Sequence, residues 1–369
     1  MNGEDRTTLA AEIAAEMEFA LPRAAEGLAA RLRQIKTLNA DLARLGIVRR
    51  LANLASADDD TTIHDICGVA ASASALPAFG GLLYGTAVHA HRLRLAQRNI
   101  LDASEQVRVH MGDLDFYESG QRLLWKQTQH LFESVGELIE QPEPPRIILL
   151  DQPILMSRGQ EGSRKQIEDI EEEWLGMVDT VNGFWKGHQP RIFPFAADGP
   201  IIASVGAQNA LPLFLALNNN AETSADTIDT ALPAYVRAGW TRLRQAGMTR
   251  MLDALLPPRS RTISYAFEDI HLDPRWQPTE LHHSGVLGFF LRAGPQTPIW
   301  QVQIAGHRSH WTSERLDRLA SDICQATIGT GAHAEPLPLW YARRLAAFPR
   351  NMLEVFRDLA REQVDGERG

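Results

Sequence analysis

The chain has 369 residues, 44% of them hydrophobic and 22% charged, and its formal net charge is −9. This composition excludes fibrous and disordered classes outside the polar ends, and the length allows one large domain with an appendage or two smaller domains. The acidic balance argues against a surface that coats DNA by itself, but it is compatible with a local basic channel or with a partner that grips DNA.

The cellular compartment is predicted from the lack of membrane-spanning, signal and cysteine motifs in the sequence. No apolar run reaches the length needed to cross a bilayer, and the polar start of the chain does not predict a signal peptide. Cys67 and Cys324 are the only cysteines, and neither lies in a CxxC or Cys/His cluster. A disulfide framework or a structural zinc site is therefore not expected, and we predict a cytoplasmic protein.

Residues 1–57 are predicted to form an N-terminal helical arm. Apolar residues recur in it at spacings of three and four, which places on one helical stripe Leu28, Leu32, Ile35, Leu38, Leu42 and Leu45. Gly46 marks a break before a short second segment. The stripe requires a partner surface, either the body of the protein, which is the commoner outcome, or a second copy of the arm.

Residues 58–369 are predicted to form a mixed domain. Strands are expected at 61–73, 79–88, 146–151 and 200–205, with a hairpin at 288–292 and 298–304. Helices are expected at 117–140, 167–181, 231–256, 311–326, 338–348 and 351–362. Because strands and helices alternate along the chain, the fold class is α/β.

The most informative acidic residue is Asp151, at the end of the apolar run Ile147–Leu150. The chain has no Walker loop, GxGxxG, GxSxG or HExxH motif, so the common nucleotide and hydrolase interpretations lose their main support. An acid at the end of a buried strand needs a partner or a metal ion. Taken alone, the Gln152-Pro153 that follows favours a helix-cap or turn aspartate.

Two further acidic residues could form a metal site together with Asp151. Glu118 opens the helix that leads to the strand of Asp151, and Asp65 lies inside the first predicted strand. Each has an ordinary explanation, because helix N-termini favour acids and an edge strand can point an acid to solvent. Together, the three carboxylates are the oxygen ligands that a Mg²⁺ or Mn²⁺ site requires to activate water for phosphodiester hydrolysis.

The order of these elements resembles the NurA family, nucleases that partner the hexameric HerA ATPase in processing DNA ends. The chain has Tyr117-Glu118 before a helix, the Ile147–Leu155 segment with its Asp151 after it, and Pro336–Ala342 near the end. The resemblance spans roughly residues 57–363. It implies an RNase H-like mixed sheet flanked by helices, Mn²⁺ or Mg²⁺ held by acids, a HerA-like hexameric ATPase as partner, DNA as ligand, and a homodimer.

The chain also departs from the family pattern. Cys67-Gly68 stands where the first Asp-Gly is expected, and Gln152-Pro153 replaces the Gly-Ser after Asp151. Positions where the family has Lys, Glu, Tyr and His are occupied here by Gly206, Gln303, Glu335 and Arg343.

Two hypotheses follow. The first is a metal-dependent DNA nuclease for repair or antiviral defence, with Asp65, Glu118 and Asp151 as metal ligands. The second is a catalytically inactive adaptor that docks on the ATPase or on DNA. The lost positions favour the adaptor. Retention of Glu118 and Asp151 favours the nuclease, and the sequence therefore predicts the nuclease, because two metal-type acids survive in matching positions. In either, basic residues are candidates to guide DNA, although a solvated helix face explains any single one: Arg237, Arg242, Arg244, Arg250 and Arg343.

Overall fold

The computed structural model contains one large mixed sheet with helices on both faces. It describes residues 3–51, 63–96, 99–116, 119–155, 168–206, 210–219, 224–267, 285–329 and 331–366. Within these ranges, no helix combines the length and the apolar character that a membrane span needs.

The helices and strands have the following bounds. The helices are α1 (Gly3–Arg44), α2 (Ser119–Glu140), α3 (Glu168–His188), α4 (Leu211–Asn219), α5 (Ala231–Ala246), α6 (Met248–Leu255), α7 (Ser313–Ala326), α8 (Leu337–Leu345) and α9 (Arg350–Gly366). The strands are β1 (Val48–Arg50), β2 (His64–Ala78), β3 (Gly81–Ala96), β4 (Asn99–Leu114), β5 (Ile147–Leu150), β6 (Ile201–Gly206), β7 (Ser260–Thr262), β8 (Tyr265–Ala266), β9 (Val286–Arg292), β10 (Ile299–Ala305), β11 (Thr327–Ile328) and β12 (Glu335–Pro336).

The main sheet has ten strands, in the order β1-β7-β9-β10-β6-β5-β2-β3-β4, with β8 paired to β9. Strands β2, β3 and β4 form an antiparallel meander, whereas β5 runs parallel to β2 and β6 runs parallel to β5. Helix α2 lies in the connection from the meander back to β5, and α3 lies between β5 and β6, so each parallel pair is joined by a crossover that contains a helix. The predicted mixed α/β sheet flanked by helices is confirmed.

The two faces of the sheet hold two separate apolar cores. Ile148 and Leu150 of β5 join one core with helices α1 to α6, while Ile147 and Leu149 join the other with α7 and α8. A strand covered on both faces has to be apolar at every position, which explains the continuous apolar run ahead of Asp151.

The N-terminal helix is anchored at one end only. It is 42 residues long. Ile35, Leu38 and Leu42 are buried in the core, but Leu28 and Leu32 on the same stripe are 50% and 54% exposed. The predicted stripe thus packs within the chain over its C-terminal part alone. The predicted boundary between residues 57 and 58 lies outside the described residues.

Strand β4 is the largest element that the sequence pattern did not predict. It spans 16 residues and pairs with β3 at the edge of the sheet. Most of its side chains are exposed, and the alternation of Val107, Val109 and Met111 with polar residues is the one local sign of a strand. Its place in the sheet comes from backbone pairing with β3, which local sequence does not report.

Candidate functional site

Asp151 lies directly after β5, at the carboxyl end of the strand. Its backbone N–H donates to the carbonyl of Val69 on β2, at 3.2 Å, which extends the parallel β2–β5 pairing by one step. Its side-chain oxygen Oδ1 is buried and has no hydrogen-bond partner. A buried carboxylate oxygen without a partner is costly, and such groups concentrate at functional sites.

The surroundings of Asp151 favour its neutral form. Burial raises the pKa of Asp151 to about 7, against the opposing effects of Arg343 and of the backbone N–H groups of Ala71 and of Asp151 itself. The carboxylate of Glu335 adds to the rise. A carboxyl group with a pKa near neutrality is able to hold a proton, and it loses that proton readily to a base or to a metal ion.

Arg343 and Glu335 form the polar edge of the site. The guanidinium of Arg343 donates to Glu335 Oε2 at 3.0 Å and to the carbonyl of Val205 at 3.5 Å. Both residues line an open groove of about 570 Å³. The rest of the groove is formed by Val205, Gly206, Thr249, Pro298, Ile299, Trp300, Ala334, Pro336 and Leu339.

The position beside Asp151 on the neighbouring strand carries no acid. The parallel register pairs Val69 with Leu150, and one further step sets Ala70 beside Asp151. Ala70 is buried against Ala342 and Ala346, at the end of α8. At Gly68 an added Cβ would lie only 2.4 Å from the backbone of Leu339. Small residues on β2 therefore let α8 occupy the space that a second carboxylate would need.

Asp65 is not brought together with Asp151. Ala70 lies five residue steps after Asp65 on β2, which places their Cα atoms about 17 Å apart. Alternation along the strand also turns Asp65 to the face of Cys67, opposite to the face of Asp151. The carboxylate of Asp65 is instead held by Arg92, whose Nε and Nη2 donate to it at 2.8 and 2.6 Å.

The other positions of the expected site have structural roles or lie elsewhere. Glu118 is outside the described residues. Gln303, where the family has Glu, accepts hydrogen bonds from the backbone of Ile154 at 2.9 Å and of Leu155 at 3.3 Å, and so anchors the loop after Asp151. Gly206, where the family has Lys, ends β6 and brings no side chain to the groove.

The four helical arginines are exposed but do not form one stripe. Arg237, Arg242 and Arg244 lie on α5, and Arg250 lies on α6 next to the groove residue Thr249. At 100° per residue, Arg237 and Arg244 point to the same side of α5, whereas Arg242 points about 140° away. Arg343 alone combines a basic side chain with direct contact to the groove.

The fold is shared with a nuclease of known structure. The NurA nuclease from Sulfolobus solfataricus is similar to this chain, with a TM-score of 0.53 and 11% sequence identity over 100% of this chain and 98% of that one. The chain has a NurA-like fold. A further NurA structure gives a TM-score of 0.44 at 11% identity, over 92% of this chain and 97% of that chain.

The catalytic domain of human Endonuclease V gives a TM-score of 0.35 at 15% identity, over 89% of this chain and 97% of that chain. No protein-family model matches the sequence, and no curated protein does. The TM-score of 0.53 shows the NurA-like fold, and an identity of 11% leaves activity, metal and partner to be argued from the residues themselves.

The acids of a metal centre do not converge at Asp151 among the described residues. Groups of three side chains suited to holding a metal occur in the described chain only around β3, β4 and α2. Mg²⁺ and Mn²⁺ prefer several oxygen ligands. Asp151 offers one free oxygen, and the nearby Glu335 is paired with Arg343. Asp151 fits a metal ligand, but the set around it does not fit a complete two-metal site.

Proposed function

We propose that this chain is a NurA-like subunit of a DNA-end-processing complex, which docks on DNA and on a HerA-like hexameric ATPase without cleaving DNA itself. The observation that carries this proposal is the pairing of Asp151 with Ala70 beneath α8. The guanidinium of Arg343 lies near the same carboxylate, where it disfavours a divalent cation and favours a phosphate.

A metal-dependent nuclease is the second candidate, and the free oxygen of Asp151 favours it. In that case Asp151 would hold Mn²⁺ or Mg²⁺ together with Glu118. The metal would generate the attacking hydroxide. Asp65 does not serve this centre, because it lies on the other face of the sheet and is paired with Arg92.

Cleavage of end-labelled linear DNA in Mn²⁺ or Mg²⁺ separates the two functions. The wild type and Asp151→Ala are compared, each with and without a HerA-like ATPase. We expect DNA binding and complex formation by both proteins and no cleavage by either. Metal-dependent cleavage by the wild type that disappears in Asp151→Ala would establish the nuclease instead and overturn the adaptor.

The DNA-binding part of the proposal rests on Arg343 and the arginines of α5 and α6. Charge reversal at Arg343, next to the groove, should weaken binding of linear DNA most and lower its salt dependence. Reversal at Arg237 and Arg244 tests whether DNA follows that side of α5. Arg242→Glu is the matched control, because it changes the same charge on another side of the helix. Equal loss in all variants would indicate only a nonspecific charge effect.

Dimerisation through the exposed part of α1 is also proposed. The stripe that is buried from Ile35 onward continues toward the N-terminus as exposed apolar residues: Leu9, Ile13, Met17, Leu21, Leu28 and Leu32. An apolar stripe of this length on one helix is suited to a second copy of the helix. Light scattering should give a dimer mass for the wild type and a monomer mass for Leu28→Glu/Leu32→Glu. A monomeric wild type would refute dimerisation.

A further inference from the structure

A second cluster of polar side chains lies on the α8 side of the sheet, on strands β3 and β4. His89 and His91 are two residues apart on β3, so both project from the same face. Glu105 of β4 is the cross-strand partner of His91. Glu105 Oε2 lies 3.5 Å from His89 Nε2 and 4.0 Å from His91 Nδ1. All three ligand atoms lie within 4.8 Å of one another.

The histidines of this cluster lack ordinary hydrogen bonds. His89 is only 3% exposed, yet neither of its ring nitrogens has a partner, and His91 Nδ1 has none either. The 3.5 Å separation from Glu105 is too long for a strong hydrogen bond. Buried imidazole nitrogens without partners are expensive, so this arrangement calls for a ligand.

The protonation state suits a metal ligand. Burial lowers the pKa of His89 and of His91, although Glu105 opposes the change in both. The imidazoles are therefore neutral at physiological pH, and a neutral imidazole has a lone pair to donate to a metal.

We propose that His89, His91 and Glu105 bind one first-row divalent transition metal, with Zn²⁺ as the preferred ion. In a tetrahedral site with bonds of about 2.1 Å, neighbouring ligand atoms lie about 3.4 Å apart. The separations of Glu105 Oε2 from the two imidazoles, 3.5 and 4.0 Å, are close to this value, and the two imidazole ligand atoms lie within 4.8 Å of each other. Imidazole nitrogens select such metals over Mg²⁺ and Ca²⁺. The absence of a cysteine cluster argued against structural zinc, but histidine and glutamate provide another ligand set.

The site is separate from Asp151 and independent of the proposed function. His89 pairs with Ala70 on one side of β2, and Asp151 lies beside Ala70 on the other side. Strand β2 therefore runs between them, and their Cα atoms are about 10 Å apart. The ring of His91 stacks on Tyr341 of α8, with centroids 4.6 Å apart. A bound ion would therefore join β3 to the edge strand β4 and fix the surface on which α8 rests.

A chemically similar group on the opposite face provides a matched control. His110, His130 and Glu133 also lie close together. His130 Nδ1, however, shares a hydrogen bond of 2.6 Å with Thr86 Oγ1, and the two rings are stacked in parallel with centroids 3.6 Å apart. These two rings are in face-to-face contact, whereas the centroids of the His89 and His91 rings are 6.1 Å apart, which leaves room for an ion between their nitrogens.

Metal titration of the full-length protein tests the proposal. Protein stripped with a chelator is titrated with Zn²⁺ by calorimetry, and with Co²⁺ by visible absorption, which reports tetrahedral nitrogen and oxygen coordination. We expect one equivalent in the wild type and at least about 10-fold weaker binding in His91→Gln and Glu105→Gln. Because the Glu105 side chain is 60% exposed, Glu105→Gln should fold normally, which circular dichroism in chelator verifies.

Two controls complete the experiment. His110→Gln and Asp151→Asn should bind Zn²⁺ as the wild type does. Absence of binding by folded wild type, or equal binding by wild type and Glu105→Gln, would overturn the proposal. Loss of binding in Asp151→Asn would overturn it as well, since the ion would then belong to the candidate nuclease centre.

Discussion

Two buried carboxylates, Asp226 and Asp151, have opposite environments. The side chain of Asp226 is 0% exposed, and Arg261 donates to its two oxygens at 2.9 and 2.7 Å. The backbone N–H of Ser264 adds a bond at 2.8 Å. Burial alone raises the pKa of Asp226, but the hydrogen bonds from Arg261 outweigh it and hold this pKa below its usual range. Asp151 has no such partner for Oδ1.

The difference separates a structural acid from a candidate functional one. Arg261 also binds Asp317 at 2.6 Å, so the Asp226–Arg261 pair ties the loop before α5 to β7 and α7. A satisfied buried pair is explained by its contacts. Asp151 is left with a free oxygen and a raised pKa at the end of a strand, an arrangement typical of sites that bind a proton, a metal or a ligand.

Breaking the satisfied pair should have the largest effect. Arg261→Met leaves the charge of Asp226 buried without its partner, and we expect a loss of about 3–5 kcal/mol in the free energy of unfolding. Urea denaturation at pH 7 measures it. Arg237→Met, on an exposed helix position, serves as control and should change stability by less than about 0.5 kcal/mol. A change in stability this small for Arg261→Met would show that the Asp226–Arg261 pair does not stabilise the fold, and the contrast with Asp151 would fail.

Asp151 should make stability fall as pH rises. Its pKa is about 7 in the folded protein and 3.8 when unfolded, so between these values the folded state binds the extra proton. The wild type should therefore lose about 1.4 kcal/mol per pH unit relative to Asp151→Asn across this window. Unfolding curves of both proteins from pH 4 to pH 8 test this. A constant difference between them would show that Asp151 is solvated or paired in solution.

The neighbours of Asp151 should shift its pKa in opposite directions. Because Arg343 lowers this pKa and Glu335 raises it, Arg343→Gln should raise it and Glu335→Gln should lower it, each by up to about 1 unit. Titration of carboxyl carbons by NMR measures the change. If both variants moved the pKa in the same direction, the Arg343–Glu335 pair would act on Asp151 as a unit.

Asp65 should have the smallest effect. Its side chain and that of Arg92 are each 18% exposed, so their ion pair is partly screened by solvent. Asp65→Asn should cost at most about 1 kcal/mol and leave any metal-dependent property of the protein unchanged. The free energy of unfolding and Mn²⁺ binding check the two parts. A large loss of Mn²⁺ affinity would return Asp65 to the candidate metal centre.

Local sequence patterns predicted the elements whose side chains are either fully buried or buried along one face. The apolar run Ile147–Leu150, helix α2 and the β9–β10 hairpin were predicted because burial imposes a continuous or periodic apolar pattern. The pattern also singled out Asp151, since an acid directly after a fully buried strand is conspicuous. The histidines of His89-Ala90-His91 were not predicted as a site, although a spacing of two within a strand places both rings on one face.

By itself, the sequence determined that this is an α/β protein with a helical arm, and that Asp151 ends a buried strand. Only the tertiary structure decided which groups meet Asp151. The register of β2 against β5 sets Ala70 beside it, and the docking of α8 brings Arg343 and Glu335 to it. Both depend on packing between residues far apart in the chain, such as Gly68 and Leu339. Local periodicity reports whether a side chain is buried, and not what it is buried against.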